Sequence, residues 1–443
     1  MFFLPKSATK RAREQAENLL RLAEKVDCYR SDVMPPAALA NLRAASAQLQ
    51  QLFEDKATRA EALDLASEHL HAVMLTCGGD IYPLTFAGEY TEMMMVAAIL
   101  VIGIRTFFLQ PFKIPTNSMF PTYNGMTPYV YPLDGPGPSL PEQAVNLIVQ
   151  GAVHYSVMAP ADGEVTLPMG NPPDDRYGAT NHPVQRRAWT RLWLINEDRR
   201  VYTISVGDKG ATLEVPSDFD RGVDEAFYAT YFPKLYAEAW KDPQLFYARL
   251  EQEGHIQHEN GRTYVATGKQ VHAGDRILDF DLRTGDMLFV DRFSYNFVAP
   301  KPGDPFVFHT GGIDGLSTKL PDGSYVHLDQ YYIKRLVGVA DDVLEVRRPT
   351  LFRNGQPNTG AAAFDLNSKE VGNYPGYTNG DPGNSNLKAG QLFTVPPAHY
   401  FAMGDNSPTS YDSRYWGAVP AQNVVGRAVF IIYPFTSRWG PSH

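Results

Sequence analysis

An apolar run from Met93 to Leu109 passes without a spacer into QPFKIPTNSMFPTY (Gln110 to Tyr123), and this junction limits what the chain can become. The run of 17 residues makes about 26 Å of helix against a bilayer core of ~30 Å, and Arg105 interrupts it near one end. A short buried helix and a membrane-associated helix are both compatible with that length. The second reading gains interfacial aromatics at Tyr90 and Phe112 and lets Arg105 snorkel to the headgroups. Beyond the run, Pro115 and Pro121 bracket a turn that holds Ser118 close to whatever surface the run occupies.

A serine in a Pro/Asn-rich turn ordinarily serves the turn alone, so a chemical role needs a partner base. The Gly-x-Ser-x-Gly elbow is absent around Ser118, and none of the eleven histidines is singled out by its spacing. Lys334 stands out instead, in QYYIKRLVGVADDVLEV. There the alternation of Tyr332, Lys334 and Leu336 against Ile333, Arg335 and Val337 predicts a half-buried strand, with one of the two adjacent cations on the packed face. Burial disfavours the ammonium form, so a packed lysine can become a base near neutral pH. A snorkelling Lys-Arg pair at a strand edge is the plainer alternative.

A third segment, YFAMGDNSPTSYDSRYWGAVP (Tyr400 to Pro420), concentrates turn formers and charges in the manner of a tight, internally hydrogen-bonded loop. With GDMLFVDRFSYNF (Gly285 to Phe297) and PKPGDPFVF (Pro300 to Phe308), these segments resemble, in order, the signature boxes of the bacterial type I signal peptidases, membrane-bound Ser/Lys endopeptidases. NGQP (Asn354 to Pro357) and VVGRAVFIIYPF (Val424 to Phe435) are similar to that family's later strands. The resemblance covers roughly residues 90–125 and 285–435.

Carried over position by position, the resemblance implies Ser118 as acyl-forming nucleophile and Lys334 as its general base. It implies Ser410 as the hydroxyl that orients the lysine amine, and Thr116 as the side-chain partner of the Ser118 N–H in an oxyanion hole. Asp412 and Arg414 match a bracing ion pair. Phe112, Ile114 and Met119 match apolar substrate-pocket walls, and each also suits a plain core position. Two departures stand out. Asn117 replaces a glycine common in the family, a change the turn can survive because Asn tolerates positive φ, and Ala340-Asp341-Asp342 replaces a Gly-Asp turn after the lysine.

The 443 residues, 44% hydrophobic and 20% charged, predict a folded chain of two to three units. A net charge of -9 argues against nucleic acid as a partner. Residues 1–89 read as a helical region on the cytoplasmic side, with a stripe at Leu39, Leu42, Leu49, Leu52, Phe53, Leu63, Leu70 and Met74 and with Pro35 and Pro36 opening its second element. Its start, Met1 to Val26, is charged and amphipathic, unlike a cleavable signal peptide. Cys28 and Cys77 both precede the apolar run and are expected as reduced thiols. Residues 90–112 are assigned to the membrane helix, and 113–123 with 285–443 to a mainly β catalytic part of coiled antiparallel sheets.

Residues 124–284 form an insertion too long for a structureless loop. HYSVMAPADGEVTLP (His154 to Pro168) and TGKQVHAGDRILDF (Thr267 to Phe280) resemble the opening and closing strands of barrel-sandwich modules, and a helix capped by Asp242 is expected between them. His255 and His258, three residues apart without a third ligand, are assigned no metal role.

The expected protein is a membrane-bound enzyme that cleaves signal peptides from preproteins, without metal or organic cofactor. Its expected place is the bacterial plasma membrane with the catalytic part outside, and its expected partners are preproteins, membrane lipid and the export translocon. A self-cleaving Ser/Lys protein and an inactive membrane scaffold that binds through the insertion are the competing classes.

Overall fold

The computed structural model describes residues 8–83, 85–169, 184–189, 196–216, 219, 222–239, 243–259, 262–319, 325–327, 329–381 and 383–442. Two units emerge, Met1–Gly103 and Ile104–His443.

In the first unit α1 (Ala8–Arg30), α2 (Pro36–Glu54) and α3 (Ala60–Cys77) pack on one another. Their spacing explains why: Leu63, Ala66, Leu70 and Met74 recur at three- and four-residue intervals along one face of α3 and meet Ala16, Ala23, Leu42 and Leu49 in a common core. Leu39, Leu52 and Phe53 pack at the rim of that core. Pro36 sits in the first turn of α2, where its missing N–H costs nothing. Both cysteines are free thiols, Cys28 exposed and Cys77 buried.

The apolar run belongs to α4 (Phe86–Phe107), a helix of 22 residues whose most apolar window has a mean hydropathy of 1.5 and no buried share. The helix begins earlier and ends earlier than the 90–112 expected from the sequence. Pro111 cannot continue it, and Leu109–Lys113 instead forms an edge strand, where a residue without an N–H is tolerated.

That edge strand opens the main antiparallel sheet of the second unit. Its neighbours follow in the order Met287–Asp291, Val424–Tyr433, Pro305–His309, Tyr331–Gly338, His399–Met403 and Val419–Pro420, with Gly440–Pro441 paired to Val424–Tyr433. The mainly β, antiparallel architecture expected for the catalytic part is the one observed. A smaller sheet, Gln356–Pro357, Thr350–Arg353, Val343–Arg347 and Phe393–Thr394, packs its own core around Leu344, Leu351, Phe364 and Phe401.

The insertion is β-rich as expected. Val153–Met158 pairs with Arg276–Arg283, and Gly163–Met169 pairs with Arg262–Val271, so the two segments singled out in the sequence do lie side by side. Ahead of them, α5 (Leu140–Gln150) starts on a reciprocal Ser139/Glu142 capping box. Three further helices follow, α6 (Gly222–Tyr231), α7 (Pro233–Ala239) and α8 (Pro243–Gln252); α8 is the helix expected from the sequence, and α6 and α7 come in addition to it. The stripe of α6, Val223, Ala226 and Phe227, sits in a tyrosine-rich stretch of modest helix propensity, and burial against Ile277 and Phe280 decides its structure. The proposed cap Asp242 lies outside the described residues.

Leu70→Ala should destabilise the helical unit by ~2–5 kcal/mol, the range for deleting a fully buried leucine side chain. Urea unfolding of the full chain followed by circular dichroism checks this, and an unchanged first transition would contradict the core assignment.

Candidate active site

Ser118 lies in a single 3-10 turn, Asn117–Met119, just after the edge strand. The turn is pinned from two sides. Asn117 Oδ1 accepts the Gly125 N–H at 2.8 Å, while Asn406 donates from its backbone N–H to Ser118 O at 3.1 Å and from Nδ2 to Asn117 O at 3.1 Å. Asn117 therefore replaces the glycine by hydrogen bonding, not by adopting positive φ as the sequence argument supposed. Positive φ falls instead on Asp341, at 68°, in the turn after the lysine, where Asp is one of the few residues that tolerate it.

Lys334 reaches this turn from the Tyr331–Gly338 strand. Its Nζ lies 2.5 Å from Ser118 Oγ although the two residues are 216 apart in sequence. Burial pushes the ammonium down from 10.5 to about 8; the nearby carboxylates of Asp412 and Asp405 oppose that shift, and Arg414 adds to it.

The expectation that only one of the two cations would be buried is corrected here. Lys334 is 5% exposed and Arg335 1%, because both faces of the strand are covered. Arg335 forms a bidentate pair with Asp405 (Nε to Oδ1 2.7 Å, Nη2 to Oδ2 2.6 Å) and donates to Gly303 O at 2.7 Å. Thr122 Oγ1 adds a bond to Asp405 Oδ2 at 2.5 Å, tying the end of the serine segment to the same pair. Arg335, Asp405, Thr122 and Asn406 were not singled out in the sequence. The available signal was the Lys-Arg dipeptide in one buried strand together with the lone acid of GDN just past the end of another.

Asp412 and Arg414 form the expected pair, at 2.8 Å from Nε to Oδ1 and 2.8 Å from Nη2 to Oδ2, both wholly buried. Asp412 also accepts the Gly404 N–H at 3.0 Å, and Arg414 donates to the carbonyls of Ser407 (2.7 Å), Ser410 (3.2 Å) and Thr378 (3.0 Å). The pair thus sets the backbone of the loop that carries Ser410.

The remaining expected residues distribute unevenly. Thr116 Oγ1 donates toward Ser118 Oγ at a long 3.5 Å from an exposed position. The Ser410 hydroxyl is buried and finds no hydrogen-bond partner among the described residues. Ile114 and Met119 sit in a core with Tyr123, Leu288, Ala428 and Ile431, against which Ile333 packs. Phe112 is only half-buried, with its ring 5.2 Å from that of Tyr331. Among the described residues no His, Cys, Asp and Glu side chains cluster so as to hold a metal.

Residues 272–433 match the family model "Signal peptidase, peptidase S26". A Leptolyngbya laminosa signal peptidase I is 31% identical over 173 residues, 39% of this chain and 71% of its own. A Synechocystis protein described as "probable signal peptidase I-1" is 35% identical over 159 residues, 36% of this chain and 67% of its own. The signal peptidase I of Mycobacterium tuberculosis is 30% identical over 186 residues, 35% of this chain and 60% of its own. The chain belongs to the signal peptidase I family. It is a serine protease, a hydrolase.

Asp405→Ala should destabilise the second unit by ~3–5 kcal/mol, since it strands the Arg335 guanidinium in a buried site. Chemical denaturation checks the value, and a loss below ~1 kcal/mol would mean that water reaches the pair.

Proposed function

We propose that this chain removes N-terminal signal peptides from exported preproteins at a membrane, with Ser118 as nucleophile and Lys334 as general base. The observation that carries the reading is the 2.5 Å approach of Lys334 Nζ to Ser118 Oγ at a lysine held near 8. A neutral amine at that distance takes the Oγ proton as Oγ bonds to the scissile carbonyl carbon. Collapse of the tetrahedral intermediate breaks the C–N bond, and the lysine ammonium returns its proton to the leaving amine. Water then enters, loses a proton to Lys334 and attacks the ester carbon; the C–Oγ bond breaks and the lysine returns its proton to Ser118 Oγ. The Ser118 N–H and the Thr116 hydroxyl are the donors proposed for the oxyanion, the latter closing from its present 3.5 Å approach to the serine when substrate binds.

Ser410, on the loop held by Asp412 and Arg414, is proposed to orient the amine, and its unpartnered hydroxyl is available for that bond. Phe112, half-exposed beside the serine turn, is the proposed pocket wall; Ile114 and Met119 support it from the core. The substrate implied by the family is an extended segment with small side chains, typically Ala, at the first and third positions before the cleaved bond. The α4 helix is proposed as the membrane anchor: 22 residues give about 33 Å, enough to cross. The second unit then lies outside the plasma membrane of a bacterium and the helical unit inside, with membrane lipid and the export translocon as neighbours.

Ser118→Ala and Lys334→Ala should each abolish cleavage of a preprotein by the detergent-solubilised chain, and wild-type turnover in either variant would remove the dyad. Thr116→Val should lower kcat by ~10²–10³ with little change in KM. Because the Lys334 value is depressed, the neutral base gains population as pH rises, so kcat/KM should climb through a single ionisation near pH 8. A profile flat from pH 6 to 10 would exclude Lys334 as the base.

A further inference from the structure

The place where α4 gives way to the sheet carries two features that the peptidase reading does not use. The first is an aromatic rim. Phe108 stacks on Phe293 at 5.3 Å between centroids, Phe293 meets Phe297 at 4.9 Å, and Phe107, Phe108, Phe293, Phe297 and Val298 are all exposed. The second is a cavity of about 570 Å³ whose walls include Thr106, Phe107, Arg292, Asn296, His309 and Tyr331.

The charges in this cavity are unevenly matched. His309 is engaged by Asp329 through Nε2. Arg292 donates from Nη1 to the neutral Gln110 Oε1 at 2.9 Å and makes no ion pair among the described residues. The neighbouring carboxylate of Asp291 is taken up by Ser294 and the Phe293 N–H. The amide donors of Asn296 and Asn423 are spent on backbone carbonyls, which leaves the guanidinium as the cavity's cationic donor without an ion pair among the described residues.

We propose that this cavity binds the phosphate of a membrane phospholipid, with Arg292 as the phosphate ligand and the acyl chains running along the aromatic rim. The inference rests on α4 being a membrane span. A span that ends at Phe107 places Phe107 and Phe108 at the headgroup level, where exposed aromatic rings are favoured. Phe293 is held against Phe108 and Arg292 precedes it in the chain, so the guanidinium is fixed at the same depth. A planar fork of N–H donors matches phosphate oxygens, and an unpaired one at the interface lacks only the anion. Hydrogen bonding of the Arg292 N–H to Phe108 O at 2.9 Å makes the ligand part of the span's own exit.

The test is equilibrium binding of fluorescent phosphatidylglycerol to the full chain in neutral detergent, with dioleoylglycerol and inorganic phosphate as parallel probes. The expected result is that wild type binds phosphatidylglycerol, that dioleoylglycerol of equal chain length binds at least ~10-fold more weakly, and that Arg292→Gln weakens phosphatidylglycerol by a similar factor. Arg292→Lys, which keeps the charge, should recover most of the binding and serves as the control for folding. Equal binding by wild type and Arg292→Gln would overturn the proposal, as would equal binding of dioleoylglycerol. Displacement by millimolar inorganic phosphate would overturn the lipid as the source of the anion. The span itself is judged separately: extraction of the wild-type chain from membranes by alkaline carbonate would remove the anchor, whatever Arg292 does.

Discussion

A lysine can serve as a base only if its surroundings refuse its proton, and the second unit is organised around that refusal. Lys334 is buried beside two aspartates, which alone would draw a proton onto it. Each aspartate is instead closed by its own arginine, Asp405 by Arg335 and Asp412 by Arg414, in bidentate geometry. Arg414 offsets part of the pull that the two carboxylates exert on the ammonium, and desolvation outweighs what remains. Isolated buried ion pairs often fail to repay their desolvation, so these are better understood as devices that fix geometry and electrostatics than as sources of stability.

The same pairs join segments that are distant in sequence. Arg335 follows Lys334 in the same strand, Asp405 lies just past the end of the neighbouring strand, and Thr122 comes from the chain just past Ser118. The insertion complicates this closure without breaking it. At its base, Ile114 N–H and Asp286 O bond at 2.8 Å, Asp286 N–H reaches Asn124 O at 2.8 Å, and Arg438 pairs with the Asp286 carboxylate at 2.6 Å. Both ends of the excursion are thus clamped at one residue, and the segment between builds its own core around Val165, Ile204, Phe227 and Phe280. Loop-closure entropy grows slowly with length, so a self-folding excursion that leaves and returns at one clamp costs the catalytic sheet little.

Much of the site was legible because its chemistry is unusual: a lysine in an apolar strand, and a loop dense in Asp, Asn, Ser and Arg. What escaped was set by burial on both sides. Alternation assigns one face of a strand to solvent, and that rule fails at Lys334 and Arg335, where each face meets a separate partner. Similarly, the apolar run could not disclose its own end, since Phe107 and Leu109 are equally apolar and only Pro111 and the pairing with Met287–Asp291 separate helix from strand. Of the insertion helices, Pro243 made α8 legible, while α6 and α7 were hidden by aromatic residues whose intrinsic preference is weak and whose packing decides.

Gly404 shows how little room the arrangement leaves. A Cβ built there would stand 2.2 Å from Ser410 Oγ and 2.3 Å from the carbonyl oxygen of Ser118, closer than any side chain could be tolerated. The N–H of the same residue is held by Asp412. A hydrogen at this position is therefore what allows the serine turn and the Ser410 loop to close on each other over the lysine. The ion pair, the glycine and the two serines act as one packed unit, in which the spacing of the reacting groups follows from a missing methyl as much as from the charges.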